Sequence, residues 1–157
     1  MIVWIASYPK SGNTWIRSFL YSLLYSNDHI PDLDKIDVID QYPTKKYLKK
    51  FIKNFNNFKE ISKYWNASQT ELNLDKKIKF FKTHHINCKI GEHAFTNQNN
   101  TLGVIYIVRD PRNLINSFKN HYDIDTKKAK NLITSSQTVT GALGKTNYQN
   151  NIFTILG

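Results

Sequence analysis

The chain has 157 residues, which is enough for one domain with a hydrophobic core and not obviously enough for two. Apolar residues make up 40% and aromatic residues 13%, so the composition is that of a globular protein and not of a disordered one. The single cysteine, Cys88, excludes an intramolecular disulfide and a Cys-rich metal site, and it fits a reducing compartment.

The formal net charge of +10 favours anionic partners: a nucleic acid, a membrane surface or a phosphorylated small molecule. Lys, Asn, Ile and Tyr are all abundant, as an A+T-rich genome would make them whatever the function, so the charge alone does not choose among these partners. No apolar run approaches the roughly 20 residues that span a bilayer. The N-terminus also lacks the pattern of a signal peptide, and we therefore expect a cytoplasmic protein.

The first 26 residues predict a strand, a tight loop and a helix. Residues 2–6 are apolar and rich in β-branched and aromatic side chains, which is typical of a buried strand. Residues 8–13 carry the Pro and Gly of a turn. Residues 13–26 predict an amphipathic helix, since apolar side chains recur there at helical spacing: Trp15, Ile16, Phe19, Leu20, Leu23 and Leu24.

The middle of the chain is polar and gives weaker signals. Pro31 and Pro43 interrupt residues 27–77, where apolar side chains indicate one helix at 47–55 and a second, shorter one at 61–65. Residues 78–83 alternate like a strand that ends at two adjacent histidines. Residues 91–100 have the composition of a loop.

Residues 102–108 give the strongest strand signal in the chain, and we expect this strand to be buried. Pro111 suits the first turn of the helix that follows, with Asp110 as its N-cap. Residues 125–134 indicate one more helix, and the signals fade after Ser135. Apolar strands that alternate with helices predict an α/β fold with a central, mainly parallel sheet.

The opening strand, loop and helix have the arrangement of a phosphate site. A loop that enters a helix presents unpaired N–H groups and the positive end of the helix dipole to an anion. Gly12 lets the backbone approach, Lys10 adds a mobile charge, and Ser11 and Thr14 add hydroxyl donors. The Walker A pattern G-x-x-x-x-G-K-[ST] is absent, which argues against a nucleoside triphosphatase.

Residues 8–15 read Y-P-K-S-G-N-T-W and resemble the 5′-phosphosulfate loop of the cytosolic-type sulfotransferases that use 3′-phosphoadenosine-5′-phosphosulfate (PAPS). The resemblance implies a P-loop-like fold of three layers, in which helices flank the sheet. It implies that Lys10 contacts the leaving phosphate oxygen and the sulfuryl group, and that Trp15 lies against the adenine. It also gives four residues to the 5′-phosphate: Ser11, Gly12, Asn13 and Thr14. Two alternatives remain, an ordinary turn and, for Trp15, a place in the core.

A second candidate site follows the strongest strand. Arg109 offers a planar fork of donors at the end of a strand, where ligands bind in open α/β sheets. By themselves, these two residues favour a structural role, in which Arg109 pairs with Asp110 or another nearby carboxylate and Ser117 packs on its helix. Residues 108–117 resemble the 3′-phosphate motif of the same family, which implies that Arg109 and Ser117 clamp the 3′-phosphate. Arg112 has no such role, and we expect it to be solvated or ion-paired.

Residues 81–85 resemble the K-[TS]-H segment of the family, whose histidine is the catalytic base. By register that base is His84, and Lys82 stabilises charge on the transferring group. Many relatives continue with Leu-Pro where this chain has His85-Ile86, so a contribution from His85 stays open. A zinc site is disfavoured, because adjacent histidines do not share a face and no cluster of ligands completes one.

The implied reaction is an in-line transfer of a sulfuryl group from PAPS to a hydroxyl or amine, without a metal. The acceptor is a small molecule, a glycan or a lipid, no nucleic acid is expected as a partner, and the oligomeric state stays open. Family members are longer and carry a C-terminal R-K-G-x-x-G segment that is missing here. We therefore expect residues 1–157 to be the N-terminal part of one sulfotransferase domain, a fragment with weak donor binding and little turnover. The alternatives are a non-catalytic basic module that binds nucleotides or nucleic acids, and a P-loop kinase.

Overall fold

The computed structural model describes residues 1–134 and, for the backbone only, residues 139–140 and 154–155. A parallel three-stranded sheet in the order β2-β1-β5 lies at its centre. Its strands are β1 (Ile2–Ser7), β2 (Lys79–Thr83) and β5 (Thr101–Ile107). Two small antiparallel pairs complete the described strands: β3 (Lys89–Ile90) with β4 (His93–Ala94), and β6 (Val139–Thr140) with β7 (Thr154–Ile155).

Helices follow the strands and make the parallel pairing feasible, because parallel strands need a crossover between them. The helices are α1 (Asn13–Leu24), α2 (Lys45–Leu48), α3 (Phe58–Ser62), α4 (Trp65–Leu72), α5 (Pro111–Tyr122) and α6 (Thr126–Thr134), with a short 3-10 helix at Ile36–Val38. The predicted α/β class with a parallel sheet flanked by helices is therefore confirmed. No helix in the described part of the chain is long and apolar enough to cross a bilayer.

The core is an aromatic cluster on one face of the sheet. Trp4, at the centre of β1, pairs in register with Phe81 of β2. Its ring lies 5.5 Å from those of Tyr42 and Phe95, and all four side chains are buried. Large aromatic groups bury much apolar area each, so this cluster supplies a large share of the hydrophobic stabilisation and fixes the sheet against α4.

The middle of the chain is broken into shorter helices than the apolar pattern predicts. The helix expected at 47–55 ends at Leu48, and the second expected helix is two helices, α3 and α4. Asn side chains give the physical reason. The amide oxygen of Asn54 accepts from the N–H of Asn56, and that of Asn57 caps α3. Such local bonds compete with a continuous helix for the backbone donors.

Helix α1 forms where predicted but with its polar side inward. Asn13, Arg17 and Tyr21 are buried, whereas Trp15 is 78% exposed and Phe19 61% exposed. The alternative that Trp15 is a core residue is therefore wrong. The reason is that Asn13 and Arg17 hydrogen-bond to groups of β1 and of the 3-10 helix, partners that an apolar side chain would leave unsatisfied.

Strand β5 also forms where predicted, but the expectation that it is buried is wrong. Val104 is 57% exposed and Tyr106 is 66% exposed. The cause is topological, because β5 pairs only with β1 and so lies at an edge of the described sheet. Helix α5, which follows it, starts as predicted: Pro111 is in its first turn, and the Asp110 carboxylate accepts from the N–H of Arg112 at 2.9 Å.

Candidate active site

The three strands end at the same edge of the sheet because they are parallel. The loop at residues 8–12 follows β1, Lys82 and His84 lie at the end of β2, and Arg109 lies just after β5. The fold thus brings together the three segments that the sequence singles out, from positions about 100 residues apart in the chain.

Two residues with left-handed backbone shape the loop between β1 and α1. Lys10 has φ 67° and Gly12 has φ 106°, and the N–H of Ser11 between them donates to the carbonyl of Tyr8 at 3.2 Å. A Cβ on Gly12 would meet no atom within 4 Å. Glycine is favoured here by its positive φ, which side chains rarely tolerate, and the open space leaves room for a ligand against the backbone.

The start of α1 has free donors. The N–H groups of Gly12, Asn13 and Thr14 have no acceptor among the described residues, and no side chain caps the helix. No acidic residue lies in its first turn. Together with the dipole of a helix of 12 residues, these donors fit an anionic phosphate.

The Asn13 side chain points away from those donors into the fold. Its amide nitrogen donates to the carbonyl of Ile5 and to the hydroxyl of Ser7, both at 3.1 Å. This side chain therefore ties the helix start to β1, and of the donors of Asn13 only the main-chain N–H is left to a ligand. Ser11 is buried and Thr14 is exposed, so the Thr14 hydroxyl is the more accessible of the two.

Arg109 reaches from the end of β5 to the loop. Its Nη1 donates to the carbonyl oxygen of Lys10 at 3.0 Å, whereas Asp110 pairs with Arg112 at 2.6 Å. The alternative pairing of Arg109 with Asp110 is thus not the one found, and Arg112 is ion-paired. Ser117 is half-buried on α5, and no hydrogen bond joins it to Arg109 within the described residues.

His84 has a fixed tautomer. Its Nδ1 lies 2.7 Å from the carbonyl oxygen of Ser7 and 3.2 Å from the Ser7 hydroxyl. Because a carbonyl only accepts, Nδ1 carries the proton and Nε2 keeps a free lone pair. Burial, and then the charge of Lys82, lower the pKa of His84 from 6.5 to about 4. The imidazole is therefore neutral at neutral pH and has a nitrogen ready to accept a proton.

A cluster of cations surrounds His84. Burial, and then the charge of Arg17, lower the pKa of Lys82 from 10.5 to about 8, and the charge of Lys10 acts in the same direction. Arg17 is only 6% exposed and donates to the carbonyl of Ile36 at 3.0 Å and to Asp37 at 2.8 Å. Asp37, which pairs with Arg17, is exposed, whereas the charges of Lys82, Arg17 and Lys10 all act on His84, so the site attracts anions.

Arg17 is a site residue that the sequence reasoning did not find. The available signal was its spacing, since Arg17 lies four residues after Asn13 and so on the same side of α1. A basic residue in line with a residue of the phosphate loop indicates a polar helix face turned toward the site. The apolar stripe of the same helix is the stronger pattern, and it predicts the opposite face as the buried one.

A cavity of about 330 Å³ lies next to His84. Its walls come from all three strands and from the segments after β2 and β4, and most of the lining is apolar or aromatic: Trp4, Phe95, Val104 and Tyr106, beside His84 and His85. A mainly apolar cavity with a few polar groups is typical of a site for a small molecule. Among the described residues, no group of three or more His, Cys, Asp or Glu side chains is arranged to hold a metal.

Comparison with known proteins gives one match. No curated protein and no solved structure matches the chain. The family described as Sulfotransferase domain matches residues 2–152, which include the loop after β1, the end of β2 and the segment from Arg109 to Ser117. Since that match covers nearly the whole sequence, the chain belongs to the sulfotransferase family.

Proposed function

We propose that this chain transfers a sulfuryl group from PAPS to a hydroxyl or amine of a small acceptor, with His84 as the base. Membership of the family gives sulfuryl transfer in general, and the donor, the base and the acceptor are the proposal. The observation that supports it most is a neutral His84 that lines the cavity, keeps the lone pair of its Nε2 free and feels the charges of Lys82 and Lys10.

The donor side of the proposal rests on the loop after β1. PAPS, when bound, supplies the activated sulfuryl group. The N–H groups of Gly12, Asn13 and Thr14, with the hydroxyls of Ser11 and Thr14, would hold its 5′-phosphate, because these N–H groups have no other acceptor among the described residues. The exposed ring of Trp15 offers the adenine a face to stack on.

The 3′-phosphate would lie between β5 and α5. The guanidinium of Arg109 contacts the loop after β1 through the carbonyl of Lys10. The hydroxyl of Ser117 lies on α5, the helix that follows Arg109. A guanidinium can bind a phosphate by two parallel hydrogen bonds, which a lysine cannot do. This pair would distinguish the bisphosphate from an ordinary adenine nucleotide.

The cations stabilise the charge that develops during transfer. Lys10 and Lys82 would offset the negative charge that builds on the bridging and sulfuryl oxygens, and the charge of Arg17, which acts on both Lys82 and His84, would add to the positive field. Charges held in place before the reaction need no reorganisation during it, which is the largest single contribution in many enzymes. The fixed position of each group also supplies the orientation that an in-line displacement needs.

His84 would take the proton of the acceptor on Nε2. The carbonyl of Ser7, which accepts from Nδ1, orients the ring and stabilises the imidazolium that forms. Its low pKa keeps the ring in the basic form through the neutral range. As this proton leaves, the acceptor oxygen or nitrogen would bond to the sulfur while the bond from sulfur to the bridging phosphate oxygen breaks. Adenosine 3′,5′-bisphosphate would then be released, and the proton would stay on His84.

Two measurements test the proposal. Radiolabelled PAPS is incubated with a panel of phenols, alcohols, amines and sugars, and His84→Gln is compared with wild type. We expect transfer to at least one acceptor, and a transfer rate about a hundredfold or more lower in the variant, the range of general-base contributions.

Calorimetry with adenosine 3′,5′-bisphosphate, ATP and single-stranded DNA then separates this enzyme from a nucleic-acid-binding module or a kinase. Preference for DNA or ATP over the bisphosphate contradicts the proposal.

A further inference from the structure

The lining of the cavity includes a second histidine that the proposed chemistry does not use. His85 is only 5% exposed, and its ring is stacked between those of Phe58 and Phe95, with centroids at 5.8 Å and 4.5 Å. The fully buried ring of Trp65 meets it edge to face at 4.8 Å. An apolar side chain would fill the same space in this aromatic stack, so packing alone does not require a histidine here.

The hydrogen bonds of His85 fix its tautomer as those of His84 do. Its Nδ1 lies 2.7 Å from the carbonyl oxygen of Ile86, so Nδ1 carries the proton and Nε2 keeps a lone pair. That Nε2 is buried and has no partner within the described chain. Burial lowers the pKa of His85 to about 4, so the ring does not satisfy Nε2 by binding a second proton at neutral pH.

Trp65 carries an unpaired hydrogen-bond donor that complements the unpaired acceptor of His85. Its indole N–H is also buried without a partner among the described residues. Most buried polar atoms in proteins are hydrogen-bonded, and an unpaired one costs stability. Here an unpaired donor and an unpaired acceptor belong to two rings in contact, and one of these rings, His85, lines the cavity that His84 also lines. A hydroxyl group is the simplest ligand that satisfies both, because it accepts one hydrogen bond and donates another.

We propose that His85 and Trp65 form a hydroxyl-binding subsite for the acceptor. The hydroxyl accepts from the indole N–H of Trp65 and donates to Nε2 of His85, while a different hydroxyl of the same molecule gives its proton to His84. The inference rests on the proposed sulfuryl transfer and names the acceptor class. That class is an uncharged compound with an apolar body and two separate hydroxyl groups.

The lining of the cavity supports this class. No Asp, Glu, Lys or Arg is among the side chains that line it in the described structure, so a charged acceptor would lose its hydration without a partner. Phe95, Val104 and Tyr106 offer apolar contacts to the body of the molecule. Because Nε2 of His85 is buried, a hydroxyl reaches it only when a neighbouring group shifts, and binding therefore changes the environment of the His85 ring.

The test measures binding and needs no turnover. With adenosine 3′,5′-bisphosphate present, dissociation constants are measured for phenol and for catechol, resorcinol and hydroquinone. We expect at least one diol to bind about tenfold tighter than phenol, the factor for pairing otherwise unsatisfied buried groups. His85→Leu and Trp65→Phe keep apolar bulk and should each abolish that advantage while they still bind phenol. His93→Leu, on β4 and outside the cavity lining, is the matched control and should keep the advantage.

Nuclear magnetic resonance of the Nε2 atom of His85 gives a second test. In the nitrogen-15 spectrum, the Nε2 signal of His85 should move when the preferred diol is added and stay in place with phenol. Equal binding of phenol and all three diols to wild type overturns the subsite, as does a signal that no diol moves, the result expected if a buried water pairs these atoms. The subsite is also overturned if His85→Leu weakens the binding of phenol and of the diol by the same factor. That result is expected if His85 has only a packing role. Absence of transfer from PAPS instead contradicts the proposed function and leaves these binding results to be judged separately.

Discussion

Arg109 donates a hydrogen bond from its Nη1 to the carbonyl oxygen of Lys10, 3.0 Å away, and so joins the end of β5 to the loop after β1. The two residues are 99 positions apart in the chain. Since each belongs to one of the two phosphate motifs, this bond sets the distance between the groups proposed for the 5′-phosphate and those proposed for the 3′-phosphate. The remaining N–H groups of Arg109 have no acceptor in the part of the chain that the structure describes, and they can bind a ligand.

Arg109→Ala should therefore weaken the binding of adenosine 3′,5′-bisphosphate by roughly ten- to hundredfold, the range for a lost hydrogen bond to a charged group. Binding of adenosine 5′-phosphate should fall by a smaller factor, because that ligand loses only the support of the loop. Calorimetry with both nucleotides measures the two effects.

Arg112→Ala is the matched control for this prediction. Arg112 is exposed and its guanidinium is paired with Asp110, so its removal should change neither affinity appreciably. If Arg109→Ala weakened both nucleotides by the same factor, Arg109 would be only a tether for the loop, and its assignment to the 3′-phosphate would be wrong.

Local sequence was sufficient to locate the strand, loop and helix at the N-terminus but not to orient the helix. The apolar stripe through Trp15 and Phe19 shows that α1 has two faces, and it does not say which one turns to the sheet. The partners that decide this are the Ile5 carbonyl for Asn13 and the Ile36 carbonyl for Arg17. The second lies 19 residues away from Arg17, in a segment whose path the sequence pattern does not give.

The protonation of His84, the proposed base, also depends on a residue that is distant in the sequence. A motif names His84, but the tautomer that frees Nε2 depends on the carbonyl of Ser7, 77 residues earlier in the chain. The strand signal of residues 102–108 likewise predicts a strand and cannot say that one of its edges is unpaired in the described sheet. Local propensity thus locates elements and motifs, whereas pairing partners and burial come from contacts between distant segments.

Asn13→Ala should lower the free energy of unfolding by about 1–3 kcal/mol, because it removes two buried hydrogen bonds and leaves the Ile5 carbonyl without one of its donors. Thr14→Ala, in the same turn but exposed, should change it by no more than about 0.5 kcal/mol. Urea unfolding measures both. Equal effects of the two substitutions would show that the Asn13 side chain does not tie the loop to β1.

Lys82 should take up a proton when an anionic nucleotide binds near pH 8. Its pKa is lowered to about 8 by burial and by the charge of Arg17, so close to half of the molecules carry a neutral amine there. A bound phosphate or sulfate favours the charged form and raises this pKa, which draws a proton from the buffer.

Calorimetry in two buffers of different ionisation enthalpy counts that proton. The uptake should vanish in Lys82→Met, and it should also vanish about two pH units lower, where Lys82 is already charged. Persistence of the full uptake in Lys82→Met would assign the proton to another group and remove the support for Lys82 as a neighbour of the transferring group.

Stability should fall with acid in a window set by His84 and His85. Both have a pKa of about 4 in the folded protein against an ordinary value of 6.5, mainly because burial disfavours the charged ring. The unfolded chain thus binds protons more readily than the folded one. Their contribution to stability is complete above pH 6.5 and is lost progressively as the pH falls toward 4.

Replacing one of the two histidines should flatten this dependence. Each ring contributes up to about 3 kcal/mol across the window, since one pKa unit corresponds to about 1.4 kcal/mol. His85→Leu removes one of these rings, so the free energy of unfolding measured in urea should decline less steeply between pH 6.5 and 4 than in wild type. The slope is informative even if the variant is less stable at every pH, because a change in packing displaces the whole curve and leaves its steepness unaltered. An unchanged slope in His85→Leu would mean that this ring is hydrated and not buried in the aromatic stack.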